Sequence, residues 1–150
     1  MNHNITDVIN LLGKSSKLYS IGKVEPSKIE EASKMLGIDF AEEFTEYTHE
    51  YGAISVAGIE LCGVVNSKNL STVVRTQEMR ELFSDFPMDW YVIESVGIDN
   101  AVMVQKSDGK IYQFLHGHNL MLAADSLSEY LLNGGDFRKE RVEYWKARSN

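Results

Sequence analysis

His116 and His118, separated by one glycine, are the only arrangement in the sequence that resembles a metal site. On an extended strand the two imidazoles would point to the same side and could share an ion such as zinc. A third ligand is needed, and the nearest candidates, Asn119 and Asp125, do not stand at a recognised ligand spacing. A metal-dependent enzyme using these histidines is therefore a remote alternative, and two histidines in a turn are the simpler interpretation.

Motifs that carry catalysis are missing from the rest of the sequence. It contains no nucleophile elbow, no P-loop and no glycine-rich dinucleotide fingerprint. The adjacent acids Glu30-Glu31 and Glu42-Glu43 fall on predicted helices, where neighbouring side chains point apart rather than forming an acid–base pair. The single cysteine, Cys62, stands among apolar residues and is expected to be buried and inert. We predict no catalytic residue, no cofactor, no metal and no small-molecule substrate.

The charge of the chain is negative and unevenly distributed. The 150 residues carry a formal net charge of −7, although residues 136–150 hold five basic side chains against three acidic ones. Residues 1–135 therefore contain nineteen acidic and ten basic side chains. Such a body repels phosphate backbones, which argues against nucleic-acid binding, and it attracts a basic partner.

Length and hydropathy favour one cytoplasmic domain spanning residues 1–150. No apolar run approaches the roughly 20 residues that cross a membrane. The N-terminal sequence lacks the basic region and long apolar run of a signal peptide. A lone cysteine cannot form an internal disulfide, which also fits the cytoplasm. We expect no membrane association.

Residues 27–63 are the most strongly patterned stretch. Ser27 and Asp39 each precede a glutamate by three residues, which is the spacing of a helix capping box. Gly37 and Gly52 follow the last apolar residues of the two predicted helices and are expected to end them. The second helix carries an aromatic stripe that we expect in the core: Phe40, Phe44, Tyr47 and Tyr51. Its outer face is acidic, with Glu42, Glu43, Glu46 and Glu50.

The remaining elements predict an α+β fold. A short helix at residues 5–12 ends at Gly13, and a turn at Ala57-Gly58 separates two strands. A β-meander then follows, with strands at residues 90–94, 101–105, 112–116 and 120–123. A helix capped by Asp125 or Ser126 and a last helix beginning at Asp136 close the chain. We expect an antiparallel sheet of about five to six strands, with N-terminal helices packed on one face and C-terminal helices following.

A hairpin at Asp108-Gly109 fixes the register of the meander if its turn has two residues. Met103 would then lie opposite Phe114, and Tyr112 would share their sheet face. Both faces of this hairpin are apolar, so one must pack on the helices. The other is either covered by the C-terminal helices or forms a contact surface that includes Tyr112 and Phe114.

Two groups of residues in the chain resemble the SUKH superfamily, which contains fungal cell-wall-synthesis regulators and many bacterial immunity proteins. The first group comprises Ile29-Glu30-Glu31, Leu36-Gly37, Phe44, Tyr47, Tyr51-Gly52, Gly58 and Gly63. The second comprises Gly109-Lys110-Ile111-Tyr112, Ala124-Asp125-Ser126-Leu127 and Glu129-Tyr130-Leu131. The chain departs from the usual pattern at Phe40-Ala41, where Leu-Pro is common, and at Gly52-Ala53, where Gly-Gly is common.

This resemblance implies a non-enzymatic immunity protein that binds and neutralises a cognate bacterial toxin domain with a basic surface, for example a nuclease. A regulatory or scaffold module of the fungal type is the alternative. Because they fall near strand ends and loops or on the apolar hairpin, the candidate partner-binding residues are Asp85, Asp89, Glu94, Asp99, Tyr112 and Phe114.

Overall fold

The computed structural model describes residues 4–95 and 101–133, and its fold is α+β, as predicted. The helices are α1 Ile5–Ser15, α2 Pro26–Leu36, α3 Glu42–Tyr51 and α4 Thr72–Leu82, with a 3-10 turn at Lys68–Leu70 and a further helix, α5, described at residues 127–133. The strands are β1 Tyr19–Ser20, β2 Ile54–Val56, β3 Ile59–Leu61, β4 Tyr91–Ser95, β5 Val102–Gln105, β6 Ile111–Phe114 and β7 Met121–Ala124. The helix expected from Asp136 lies outside the described residues.

The seven strands form two antiparallel sheets. The first has the order β1-β2-β3, and the second is the predicted meander, β4-β5-β6-β7. The strand total is close to the expected five to six, but the division into two sheets was not foreseen. Among the described helices, none is long and apolar enough to cross a membrane.

The N-terminal helix is longer than predicted. The Asn4 side chain accepts a hydrogen bond from the Thr6 N–H at 2.8 Å and caps the helix, which buries Ile5 and Val8. Gly13 does not end the helix, which continues to Ser15. A glycine inside a helix costs only about 1 kcal/mol relative to alanine, so the burial of this apolar face outweighs it.

The two predicted capping boxes in residues 27–63 are wrong. Helix α2 begins at Pro26, because the fixed φ of proline suits the first helical position, and this places Ser27 inside the helix. Helix α3 begins after Ala41 rather than Asp39. The Ala41 N–H donates instead to the hydroxyl of Tyr91 at 2.9 Å, so a distant side chain replaces the local cap.

The predicted ends of these helices are confirmed. Gly37 adopts φ 69° after α2, and Gly52 adopts φ 76° after α3, both in the region that favours glycine. The turn at Ala57-Gly58 is also confirmed. It joins β2 to β3 with φ 52° and 79°, the left-handed pair that matches the twist of a two-residue hairpin.

The hairpin between β5 and β6 has a three-residue loop rather than the predicted two-residue turn. The Lys106 N–H donates to the Lys110 carbonyl at 3.3 Å, and the Gly109 N–H donates to the Lys106 carbonyl at 2.9 Å. Gly109 alone has a positive φ, of 95°, and Asp108 does not. A two-residue type I′ turn would need both. The predicted register is therefore wrong by one residue, and Val104 lies opposite Tyr112.

Both faces of the β5–β6 hairpin are largely buried, whereas the neighbouring strand β7 exposes Leu122. One face contributes Met103 and Ile111 to the main core beneath α1 and α3. The other face forms a second core with Met79 of α4 and with Phe86, and its strand residues are Val92, Val102, Val104 and Phe114. In the described part of the chain this cover comes from α4 and the loop after it, not from the C-terminal helices.

The aromatic stripe of α3 lies in the main core, as predicted. The rings of Phe44 and Tyr47 are fully buried, and those of Phe40 and Tyr51 are half-buried. Tyr91 on β4 packs against Phe40 and Phe44 with ring centroids 4.9 and 5.0 Å apart. The stripe therefore docks α3 onto the meander and leaves the acidic side of α3 outward.

Candidate functional site

The two histidines lie in the loop between β6 and β7. His116 stacks on the ring of Phe83 with centroids 4.7 Å apart, and its Nδ1 lies 2.7 Å from Oδ1 of Asp85. Within residues 4–95 and 101–133, no group of three or more His, Cys, Asp or Glu side chains is placed to hold a metal ion.

Asp85, a predicted contact residue, is tied into this loop. The hydrogen bond from His116 lowers the pKa of the Asp85 carboxyl, and the Gly117 N–H, at 3.3 Å, adds to the effect. Asp85 is exposed, but one of its oxygens already faces a histidine. Through these contacts Asp85 holds the loop after α4 against the loop after β6.

Asp89 lies at the opposite end of β6 from Asp85. Its carboxylate is exposed and lies 3.3 Å from Nζ of Lys106, just before the β5–β6 turn. The Lys106 ammonium also lies over the Trp90 ring, 5.4 Å from its centroid. The two predicted acids are therefore not neighbours, and each has a basic partner. Asp99, the third predicted loop acid, lies outside the described residues.

Glu94 is buried inside the protein rather than presented to a partner. One oxygen accepts the Glu60 N–H at 3.0 Å, and the other accepts the Tyr130 hydroxyl. Glu94 thus links β4 to β3 and to α5. Its position in a strand that is buried on both faces explains why the alternation of the sequence did not reveal this role.

The two predicted aromatic contact residues pack in the second core. Phe114 is buried edge-to-face against Phe86, with centroids 5.1 Å apart. Tyr112 is half-buried and packs edge-to-face on Trp90 at 4.6 Å. Part of Tyr112 reaches the surface, whereas the Phe114 ring does not.

Cys62 is buried, as predicted. Its side chain lies in the second core, and the residue is 2% exposed. Burial raises the pKa of the Cys62 thiol to about 12, so almost none is thiolate at neutral pH. Cys62 therefore serves packing rather than nucleophilic chemistry.

A cleft of about 960 Å³ between α3, the N-terminal end of α1 and residues 125–133 brings acidic side chains together. We call it the acidic cleft. Its five carboxylates are Glu42, Glu43, Glu46, Asp125 and Glu129. Among residues 4–95 and 101–133, no Lys, Arg or His lines it, and none of the five carboxylates forms an ion pair.

The first turn of α3 and hydrogen bonds from Ser128 position the carboxylates on the α3 side of the cleft. Glu42 and Glu43 lie in the first turn of α3, where the helix dipole stabilises negative charge. Glu43 accepts hydrogen bonds from the backbone N–H of Ser128, at 3.3 Å, and from its hydroxyl. This contact joins α3 to α5 across the floor of the cleft.

The α5 side of the cleft is organised by a cap. The Ser126 hydroxyl accepts the Glu129 N–H at 3.1 Å, and Glu129 reaches back to the Asp125 N–H at 3.3 Å. This confirms the predicted cap and fixes the Glu129 side chain at the cleft. The arrangement can accept the hydrogen bonds and charge of several Lys or Arg side chains at once.

Three of the five carboxylates of the acidic cleft could be grouped from the sequence. The outer acidic face of α3 supplies Glu42, Glu43 and Glu46, and was recognised from helical spacing. Asp125 and Glu129 were missed as site residues because only the packing of α5 on α3 brings them there. The Glu43–Ser128 contact spans 85 residues of sequence, beyond the reach of any local pattern.

Comparison with known proteins identifies the family. The model of the SUKH_5 family, described as SMI1-KNR4 cell-wall, matches residues 5–134. No curated protein matches the chain. The family match covers all described elements from α1 to α5, including both sides of the acidic cleft. The chain therefore belongs to the SUKH_5 family, and its membership of the SUKH superfamily is confirmed.

Proposed function

We propose that this protein is a non-enzymatic immunity protein that acts in the cytoplasm and neutralises a cognate bacterial toxin domain by covering its basic surface. The observation that carries the proposal is the acidic cleft, which the described part of the chain lines with five carboxylates and no basic side chain. Family membership supports a role in protein interaction. The toxin class that suits the cleft best is one that must itself attract anions, such as a nuclease.

The physical argument rests on competition for a basic surface. A nuclease binds a polyanionic substrate through Lys and Arg side chains, so a rigid array of carboxylates can occupy the same groups. The net charge of −7 also speeds the encounter with a basic partner, since long-range attraction raises the association rate. An acidic surface of this kind neutralises by occlusion and needs no catalytic residue.

On this account the contact surface has a centre, found in the structure, and a periphery drawn from the residues predicted from the sequence. The five carboxylates of the acidic cleft form the centre of the contact. Asp85, Asp89 and Tyr112 are proposed as peripheral contacts, because each is at least partly exposed but the two acids already face His116 and Lys106. Glu94 and Phe114 would support the surface from inside the fold.

A neighbouring reading frame provides the test. The C-terminal domain of a large protein encoded upstream should be expressed alone and together with this chain. We expect the domain to arrest growth when alone, co-expression to restore growth, and the two proteins to co-purify as a complex. A toxin domain that still kills during co-expression, or that does not co-purify, would contradict the proposal.

A regulatory module is the second candidate, because the matching family is described by reference to the cell wall. Such a module would bind several unrelated proteins rather than one. Affinity purification of the tagged chain from its native cell separates the two functions. A single stoichiometric toxin supports immunity, whereas a set of cell-wall proteins supports regulation.

A further inference from the structure

A second concave surface lies next to the acidic cleft, and Glu46 of α3 lines both. It is a groove of about 420 Å³ between α2 and α3, which we call the α2–α3 groove. Helix α2 presents one face to it, through Pro26, Ile29, Glu30 and Ser33. The connecting loop and α3 supply Asp39, Phe40, Thr45, Glu46 and His49.

The floor of the groove is apolar and held in place by the fold. Ile29 belongs to the buried face of α2, and Phe40 packs edge-to-face on Tyr91 at 4.9 Å while remaining half-exposed. His49 is fixed at one wall, since its Nδ1 lies 2.8 Å from the Val24 carbonyl oxygen. An apolar side chain entering the groove would therefore meet a preformed surface rather than a mobile one.

The rim of the groove is acidic. Glu30, Asp39 and Glu46 are exposed around it. Lys34 lies 3.5 Å from Glu30, but both side chains are more than 70% exposed, so water screens this pair strongly. Glu46 also lines the acidic cleft, which makes the groove and the cleft one continuous surface along α3.

We infer that the α2–α3 groove binds an apolar anchor residue of a protein partner, in a segment where Lys or Arg flanks that anchor on both sides. The apolar floor takes the anchor, and the carboxylates of Glu30, Asp39 and Glu46 accept the flanking cations. The inference rests on the proposed function for the identity of the partner as a basic protein. It adds the chemistry of the segment that the partner inserts.

Other occupants fit the groove less well. A second copy of this chain would bring a net charge of −7 against an acidic rim, which opposes association. An uncharged small molecule would fill the floor but leave the carboxylates unused. A basic segment with one apolar anchor uses both features, and it can extend across Glu46 into the acidic cleft.

The test uses a synthetic twelve-residue peptide with one central Phe and Lys residues on both sides, titrated into the ¹⁵N-labelled full chain. We expect saturable shifts of backbone amide signals in residues 29–33 and 45–49. Replacing the central Phe by Ser should weaken binding by about tenfold, because burial of the ring is lost. Replacing the lysines by glutamates should abolish binding.

Two variants of the chain locate the binding site. Thr45→Phe places a ring in the groove and should abolish the shifts, whereas Gln77→Phe adds the same ring to the exposed face of α4 and should not. If Thr45→Phe fails to fold, the exposed pair Glu30→Lys with Asp39→Lys gives the same information through charge, and we expect at least tenfold weaker binding. Shifts that map elsewhere, or that persist in the groove variants, would overturn the inference.

The outcomes separate this inference from the proposed function. Because the peptide assay contains no toxin, specific binding in the groove would stand even if no toxin were neutralised. Conversely, if the toxin is neutralised but the peptide does not bind, the inference about the apolar anchor is wrong and the proposed immunity function stands. Equal binding of phenethylamine, a small cation with one ring, would show that a segment is not required and would also overturn the inference.

Discussion

The carboxylate of Asp85 and the imidazole of His116 meet at 2.7 Å, although 31 positions separate them in the sequence. This contact joins the loop after α4 to the loop after β6, and the stacking of His116 on Phe83 braces it. The sequence predicts a partner contact for Asp85, and it offers His116 as a metal ligand only in the less favoured alternative of a metal-dependent enzyme. In the structure the Asp85 carboxylate and the His116 imidazole bind each other and hold the two loops together. We call this pair the clamp.

The first prediction concerns the titration of Asp85. The hydrogen bond from His116 lowers the pKa of the Asp85 carboxyl. His116→Ala should therefore raise that pKa toward the ordinary value of about 3.9. The clamp stabilises the folded state at pH values above the pKa that Asp85 has in the unfolded chain. This contribution is lost as the pH falls through the lower pKa that Asp85 has in the folded chain. The side-chain ¹³C shift of Asp85, followed from acid to neutral pH, measures this directly.

The matched control for Asp85 is His118→Ala in the same loop. We expect this variant to leave the Asp85 midpoint unchanged, since the hydrogen bonds that lower its pKa come from His116 and Gly117. Identical midpoints in the wild type and in His116→Ala would show that the clamp is absent in solution.

The second prediction concerns Gly63, which lies against the end of α3. A Cβ atom at Gly63 would lie 1.7 Å from the Gly52 carbonyl oxygen and 2.9 Å from Oγ1 of Thr48. Since the nearest obstacle is backbone, Gly63→Ala should lower the free energy of unfolding by about 4 kcal/mol or more, or prevent folding.

The control for Gly63 is Gly37→Ala, because Gly37 ends α2 and has no atom within 4 Å of the added Cβ. Only its positive φ of 69° opposes alanine there, so we expect a loss of about 1–2 kcal/mol. Urea denaturation of both variants gives the comparison. Similar losses in the two would mean that the close approach of Gly63 to Gly52 is not real.

The third prediction concerns the Tyr47 hydroxyl. It is fully buried, donates toward the carbonyls of Leu61 and Cys62 at 3.0 and 3.1 Å, and accepts the Ile54 N–H at 3.2 Å. Tyr47→Phe removes these bonds and should cost about 1–3 kcal/mol of unfolding free energy, because it leaves buried backbone groups without this partner.

The exposed hydrogen bond from Tyr51 to Asn10, at 3.2 Å, supplies the comparison for Tyr47. Tyr51→Phe should cost less than about 0.5 kcal/mol, since water replaces the lost bond. Thermal denaturation of the two variants side by side measures the difference. An equal cost would argue against a buried hub at Tyr47.

Local chemistry determined which parts of the fold the sequence could predict. Gly37 and Gly52 were recognised as helix ends because a left-handed residue favours glycine wherever it occurs. The start of α3 was misjudged because Tyr91, fifty positions away, accepts the hydrogen bond from the Ala41 N–H, whereas α2 begins one residue before Ser27, at Pro26. Spacing alone cannot reveal a donor or acceptor that arrives from another part of the chain.

The meander and the candidate site show the same limit. The strands of the meander could be predicted from their apolar runs. The β5–β6 register depends on whether the loop has two or three residues, and an Asp-Gly pair such as Asp108-Gly109 is compatible with either length. Glu42 and Glu46 were recognised as an acidic face of one helix. Asp125 and Glu129 complete the cleft only because α5 packs on α3. That tertiary contact leaves no local pattern in the sequence.

The most direct measurement of the central claim is the association rate of this chain with the cognate toxin domain at low salt. The test variant carries Glu42→Lys, Glu46→Lys and Asp125→Lys in the acidic cleft, where all three side chains are exposed. The control carries Glu31→Lys, Glu60→Lys and Glu81→Lys, which make the same change in net charge at exposed positions away from the cleft. Circular dichroism verifies that both variants are folded.

We predict that the cleft variant associates about tenfold or more slowly than the control, because it loses the local field that guides a basic surface into place. The difference should shrink as salt is added, since screening weakens the attraction that the cleft provides. Equal association rates for the two variants would contradict the assignment of the acidic cleft as the toxin-binding surface.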